Sequence, residues 1–228
     1  MRRSSCVLLA ALVLAGTLAS AQDAPKVELS FDYSYARYAP SAAYTKGHSL
    51  NGGGGRVAFN VNHWLGLAMD LQGYNSNTNK FVIPQNTFFP GGAQGTASGN
   101  LFTYLFGPVV KYRWEGVRPY ADFLFGAAHS SVYGNAYKQI CQPVAGPGAC
   151  SFHGSPNGDA YAMSIGGGID FPINQRIEFR VGEFDYLYTR FTNQFTNAGQ
   201  NNFRYLGGLN INIGNPTPRA NYAGSSTR

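Results

Sequence analysis

The stretch VELSFDYSYARY, residues 27–38, decides the fold. Val27, Leu29, Phe31, Tyr33 and Tyr35 fall on one face of an extended chain, and Glu28, Ser30, Asp32, Ser34 and Ala36 fall on the other. Successive strand side chains point to opposite faces, so the segment is a two-faced strand. If the apolar face looks inward, the chain is a soluble barrel or sandwich. If it looks outward, the chain sits in lipid, and Glu28 and Asp32 look into a bore.

The same alternation recurs along the chain. It predicts strands over 27–38, 53–62, 65–74, 100–113, 117–130, 159–171, 176–191 and 202–214. Nothing between them has helical periodicity. Short links (HW, WEG, PINQ) alternate strictly with long ones rich in Gly, Asn, Ser, Thr and Pro. In an up-and-down arrangement all tight turns, and both chain ends, then lie at one end, and all long loops lie at the other. That asymmetry, with an even strand count, is the pattern of transmembrane barrels of the outer membrane, with short periplasmic turns and long extracellular loops. The fold class read from the sequence is therefore all-β: an eight-stranded antiparallel up-and-down transmembrane β-barrel.

Residue size settles which face meets lipid. One face carries Phe, Tyr, Leu, Ile and Met, which is too much bulk for the inside of eight strands, where side chains only just fit. The other carries Gly, Ala, Ser and Asn with isolated charges of both signs. Charged residues make up only 12% of the chain against 44% hydrophobic, whereas a soluble barrel clothes its outside in Lys and Glu. Inverting the barrel would place Arg180 and Arg56 on the lipid face, where a basic side chain at mid-bilayer costs about 2–4 kcal/mol. Tyr35, Tyr38, Trp64, Tyr112, Trp114 and Tyr188 stand near strand ends and are expected to form interfacial girdles. In IEFRVGEFDYLYTRF (177–191), simple alternation past Gly182 would turn Glu183 and Asp185 outward. Either a bulge near Gly182 and Glu183 flips the phase and sends Phe184, Tyr186 and Tyr188 to lipid, or the strand has left the bilayer there.

The two ends read as processing and tail segments. Residues 1–21 combine Arg2 and Arg3, an apolar run and an Ala-Ser-Ala site, which together predict an export signal cut after Ala21; Arg2-Arg3 also admits twin-arginine export. Residues 22–26 are a short lead, 27–214 the barrel, and 215–228 a disordered tail. Without Arg2 and Arg3 the net charge is about +4, with the basic residues scattered rather than gathered in a patch, so no nucleic-acid partner is expected. Cys141 and Cys150 remain in an oxidising compartment and predict a disulfide, worth about 2.5–3 kcal/mol by loop closure. A metal site there would need two more ligands, and only His153 is near. NGGGGR (51–56) lacks the Lys-Ser/Thr ending of a phosphate loop. No cofactor is expected.

The span 27–214 resembles the OmpA-like family of eight-stranded outer-membrane β-barrels, and especially its small porin-family group, through FNVNHWLGLAMDLQGY, LFGPVVKYR, RPYADFLFGAAH and the closing NFRYLGGLNINIG, taken in order. The resemblance implies a bacterial outer-membrane location. It also implies recognition by the assembly machinery through Gly208, Ile211 and Ile213, with Ile standing where the family usually has aromatics. The chain ends without room for the peptidoglycan-binding domain of the larger members.

Functionally, Asp32, Arg56, Asp70, Lys111, Asp122, Asp170, Glu178, Arg180 and Arg204 are expected to form a polar network in the lumen, because buried charges need partners. That network is either a plug or a gate whose ion pairs rearrange to open a thin water path. The expected role is structural or surface recognition and not enzymatic. The partners are outer-membrane lipids and lipopolysaccharide, the assembly machinery, and an extracellular ligand of the loops. KFVIPQNTFF (80–89) is either a contact patch or a loop-packing cluster. The alternative is a lipid A deacylase-like hydrolase, with His129 and Ser131 on the outer face of one strand and Asp159 to orient the imidazole. A soluble ligand carrier is the third reading.

Overall fold

Lipid offers no partner for backbone N–H and C=O groups, so strands can cross it only as a closed ring. A computed structural model of the chain, described over residues 24–38, 48–83, 85, 91, 93–131, 158–192 and 197–214, shows that ring. It consists of β1 (Val27–Tyr38), β2 (His48–Asn60), β3 (Leu65–Ile83), β4 (Ala93–Lys111), β5 (Arg118–Ser130), β6 (Gly158–Pro172), β7 (Ile177–Thr192) and β8 (Asn197–Ile213). Each strand pairs with the next in a closed barrel. β1 closes it antiparallel on β8, from Val27↔Ile213 to Arg37↔Phe203.

The sidedness is that of a membrane barrel. Phe31 is 61% exposed, Leu67 55% and Phe179 47%, while Asp32 and Arg180 are 5% and 3% exposed. The greasy face is outside. Aromatic belts mark both ends. Trp64, Tyr112 and Trp114 face outward near the tight turns, with Tyr112 and Trp114 edge to face at 4.8 Å. Toward the loop end the outward tyrosines carry their hydroxyls to polar neighbours: Tyr33 to Asn51 at 2.7 Å, Tyr35 to Ser49 at 2.7 Å and Tyr186 to Asn201 at 2.6 Å. An amphipathic ring with a hydrogen-bonded tip suits the headgroup level. Tyr38 is a correction to the expected girdle. Strand parity from Val27 turns it inward, and it is 6% exposed.

The predicted bulge in β7 is present. Val181 and Gly182 together span the single residue Gly207 of β8, with Arg180↔Gly208 on one side and Glu183↔Leu206 on the other. The extra residue flips the phase, so Glu183 and Asp185 are buried and Phe184 is 71% exposed.

Four strands start or end well outside the bounds that the sequence pattern predicts: β2, β3, β4, and β8, which begins at Asn197 rather than at 202. β3 and β4 stay paired from Asn79↔Ala97 to Ile83↔Ala93, beyond a bulge after Ser76. Their outer neighbours stop earlier: β2 leaves β3 at Asn51↔Asn75, and β5 leaves β4 at Leu101↔Ser130. Residues 76–83 and 93–99 therefore form a two-stranded ribbon beyond the barrel wall. β2 also starts at His48 rather than at Gly53, because all twelve residues of β1 find partners on it. Inside β4, Pro108 has no N–H to give, and the β4–β5 ladder skips from Phe106↔Phe125 to Val109↔Asp122.

Two of the tight turns use one device. Asn62 Oδ1 accepts the N–H groups of Trp64 and Leu65 (2.9 and 2.7 Å), and Asn174 Oδ1 accepts those of Arg176 and Ile177 (both 2.8 Å). The Asn side chain stands in for a backbone carbonyl, and each bond contributes about 0.5–1.5 kcal/mol. Residues 1–21 and 215–228, Cys141 and Cys150 lie outside the described residues, as do the side chains of KFVIPQNTFF apart from Gln85.

Candidate functional site

The interior is the place where this chain departs from a plain membrane anchor. All nine residues expected in the lumen are buried there: Asp32, Arg56, Asp70, Lys111, Asp122, Asp170, Glu178, Arg180 and Arg204. They sort into two clusters stacked along the axis.

The cluster nearer the tight turns is centred on Lys111. Its Nζ donates to Glu28 (2.8 Å), Asp170 (2.8 Å) and Glu178 (2.6 Å), which come from β1, β6 and β7. Arg113 reaches Glu28 at 2.5 Å, and Arg118 pairs with Glu178. The Asn210 amide donates to Glu28 Oε2 (2.9 Å) and Glu178 Oε2 (3.0 Å), both shared with Lys111, and the Asn212 amide donates to Glu178 Oε1 (2.8 Å), shared with Arg118.

The second cluster lies deeper. Arg56 pairs with Asp122 (2.9 Å), Asp70 (3.4 Å) and Glu183. Arg204 pairs with Asp70 (2.9 Å) and Asp185 (2.5 Å). Arg180 joins the two clusters, donating to Asp170 at 3.0 Å and Glu183 at 3.1 Å. Tyr120 is enclosed by this group. Its hydroxyl donates to Glu183 at 2.6 Å, and the Arg180 guanidinium lies 4.6 Å from its ring centroid. Asp32 is held more loosely. Arg180 is 3.6 Å away, and neither Asp32 oxygen has a hydrogen-bond partner among the described residues.

Toward the loop end the inward positions include the apolar Ala36, Tyr38, Leu50, Leu101, Leu187 and Phe191. The Ser34 and Tyr74 hydroxyls bond across this level at 2.8 Å. The bore is thus ionic below and mixed above, where these apolar side chains stand beside buried uncharged polar ones such as Gln72, Thr103, Thr189, Gln200 and Asn202.

Glu28, Glu183 and Asp185 belong to the network although the nine expected residues omit them. The signal for Glu28 was plain alternation. The signal for the other two was the bulge, which makes both carboxylates inward-facing.

The outer face holds the hydrolase alternative. His129 and Asp159, partners in the β5–β6 register, are joined by a 2.7 Å bond from Nδ1 to Oδ1. Ser131 is not drawn in. Its Oγ accepts the Asn100 N–H at 2.8 Å and donates to the Asn100 carbonyl at 3.4 Å. Among the described residues no hydrogen bond links His129 to Ser131, and nucleophilic catalysis needs that link to activate the hydroxyl.

The comparisons with known proteins agree with this architecture. Residues 6–215 match the family described as outer membrane protein beta-barrel domain. Neisserial surface protein A is similar in fold at 11% identity, with a TM-score of 0.53 over 82% of this chain and 97% of that one. OprG from Pseudomonas aeruginosa is 10% identical, with a TM-score of 0.48 over 84% of this chain and 98% of that one. No curated protein matches the chain. With a family match spanning nearly its whole length and a closed eight-stranded ring with lipid-facing aromatics, the chain belongs to the outer membrane protein beta-barrel domain family and resides in the bacterial outer membrane.

Proposed function

We propose that this barrel is a plugged anchor that presents a recognition surface outside the cell. The observation that carries the reading is the β3–β4 ribbon, residues 76–83 and 93–99, which continues past both neighbouring strands. A membrane wall has no use for pairing beyond its own rim, whereas loops held out on a rigid scaffold are where binding concentrates. Lipopolysaccharide and other outer-membrane lipids surround the wall, and the ligand of the ribbon and loops lies beyond them. The test compares cells displaying the full chain with cells in which residues 78–97 are replaced by a short turn. Both are offered immobilised matrix proteins and sulfated glycans. The trimmed chain is expected to keep its heat-modifiable gel migration and to lose binding to at least one surface. Equal binding by both chains on every surface overturns the reading.

The plug rests on the ion pairs that join opposite walls, such as Arg56 to Glu183 and Arg204 to Asp70. Purified protein in planar bilayers is expected to show no steady conductance. A gate is the second reading, and Asp32 favours it as an alternative partner already 3.6 Å from Arg180. Under that reading Arg180→Gln raises conductance above the parent, and indistinguishable traces remove the gate.

Acyl-transfer chemistry on the outer face has less support, since Ser131 is engaged by Asn100 rather than by His129. We propose a non-enzymatic role for the chain.

A further inference from the structure

The loop end of the barrel carries almost no negative charge. Of the eleven Asp and Glu residues, eight line the bore, Asp23 precedes β1, and Glu115 lies in the tight turn between β4 and β5. Only Asp159 stands at the loop end, where its Oδ1 is bonded to His129 Nδ1 at 2.7 Å. The same end carries Arg37 on β1, Arg190 on β7, Lys80 on the ribbon, and Lys46 and Lys138 in the long links, five cations against one carboxylate.

Two of these cations close a repeated motif. YSYAR (33–37) on β1 and YLYTR (186–190) on β7 both read Tyr-x-Tyr-x-Arg, and both strands run from the tight turns toward the loops. Alternation puts the two tyrosines and the arginine of each motif on the outer face. The contacts repeat as well as the letters. In each motif the first tyrosine donates to an Asn Oδ1 on the neighbouring strand, Tyr33 to Asn51 at 2.7 Å and Tyr186 to Asn201 at 2.6 Å. Each arginine is exposed. Each stands about 7 Å beyond the second tyrosine, the rise of two strand residues. The hydroxyls thus mark the headgroup level, and the guanidiniums lie at its outer side.

Both guanidiniums have donors to spare. Among the described residues neither pairs with a carboxylate, since Asp159 is taken by His129 and the other acids are in the bore or at the tight-turn end. Arg37 gives one N–H to Ser49 Oγ at 3.2 Å, and Ser49 Oγ also shares a 2.7 Å bond with the Tyr35 hydroxyl. Two hydroxyl protons serve that one bond, so one is left for a further acceptor, beside the remaining N–H groups of Arg37.

We propose that Arg37 and Arg190 each bind a phosphate group of the anionic lipid in the outer leaflet. Arginine presents paired N–H donors that match phosphate oxygens, and cations at the headgroup level attract anionic lipid. Position selects lipid over a soluble polyanion, because both guanidiniums continue lipid-facing columns of tyrosine on the wall, while a soluble polyanion would meet the lysines of the links and ribbon first. The site is separate from the β3–β4 ribbon and goes beyond the recognition surface proposed above.

The full chain is refolded into detergent micelles, and the lipid retained on it is read by native mass spectrometry. The probes are diphosphoryl lipid A, the same lipid stripped of both phosphates, and inorganic phosphate as a competitor. The parent is expected to retain up to two phosphorylated lipids, each at least about 5-fold better than the stripped form, the attraction of one surface cation. Arg37→Gln/Arg190→Gln, shown to be folded by heat-modifiable migration, should lose that preference, and Arg37→Lys/Arg190→Lys should keep part of it. If the double glutamine variant does not fold, Arg37→Gln and Arg190→Gln singly should each lose one of the two lipids. The proposal is overturned if the parent shows no preference for the phosphorylated lipid, or if the glutamine variants keep it. Displacement of the lipid by an equal concentration of inorganic phosphate would assign the site to free phosphate and also overturns it. So does loss of the preference in Lys46→Gln/Lys80→Gln/Lys138→Gln alone, which would put the anion above the membrane as a soluble polyanion.

Discussion

Lys111→Met is expected to lower the unfolding free energy of the barrel by about 3–5 kcal/mol, the range for removing one partner from a buried ion pair. The methionine keeps the aliphatic stem, so the loss reports the charge and not a cavity. What remains is three carboxylates, from Glu28, Asp170 and Glu178, with oxygens within 4.8 Å of one another. Arg113, Arg118 and Arg180 still touch one carboxylate each, but none occupies the centre. A companion variant separates charge from packing. Adding Glu178→Gln to Lys111→Met removes one of the repelling anions and should restore part of the loss, a coupling that a double-mutant cycle measures. The measurement is urea unfolding of the barrel refolded into lipid vesicles, followed by heat-modifiable migration. A loss below about 1 kcal/mol, the level of an exposed pair, would mean that the peripheral arginines suffice and that Lys111 is not the keystone of its cluster.

Met69→Arg carries the other large effect. Met69 stands outward near the middle of the barrel portion of β3, is 47% exposed, and is flanked in register by Val57 and Phe106. If that surface faces hydrocarbon, arginine there should cost about 2–4 kcal/mol, while the same residue near an interface costs about 0–1 kcal/mol. Tyr112→Arg, in the girdle beside the tight turns, is the matched control. Unfolding in vesicles should separate the two by well over 1 kcal/mol. Equal tolerance would contradict a lipid-facing wall. The pairing of sites matters because both are outward and exposed, and only their depth in the bilayer distinguishes them.

Much of this was legible in the chain because alternation is a strong signal when one face must be small and the other greasy. VELSFDYSYARY and FNVNHWLGLAMDLQGY state their facing residue by residue. The β7 bulge could be read for the same reason: EFDYLY makes sense in lipid only with Phe184 and Tyr186 outward. Three features were not legible, each for a physical cause. The ribbon of 76–83 and 93–99 (SNTNKFVI and AQGTASG) has no period-2 contrast and reads as loop, and its strands continue an existing antiparallel ladder. The inward Leu50, Leu101, Leu105, Leu124, Leu187, Leu206 and Phe191 were hidden, because an apolar residue on the inner face of a strand that is also apolar outside breaks the contrast on which the reading depends. Tyr38 was assigned by residue type, as an aromatic near a strand end, where parity was the better guide.

The way the ion pairs cross the bore ties one half of the chain to the other. Glu183 answers Arg56, Asp70 answers Arg204, and Asp170 and Glu178 answer Lys111, so residues before position 123 hold their charges against residues after position 169. The first half sets Glu28, Asp32, Asp70 and Asp122 against Arg56, Lys111, Arg113 and Arg118, four against four, whereas the second sets four carboxylates against Arg180 and Arg204 alone. Half a cylinder made of the second four strands would carry two carboxylates more than its own cations can answer. The carboxylates of the second half therefore find their full complement of cations only when both halves line the same bore.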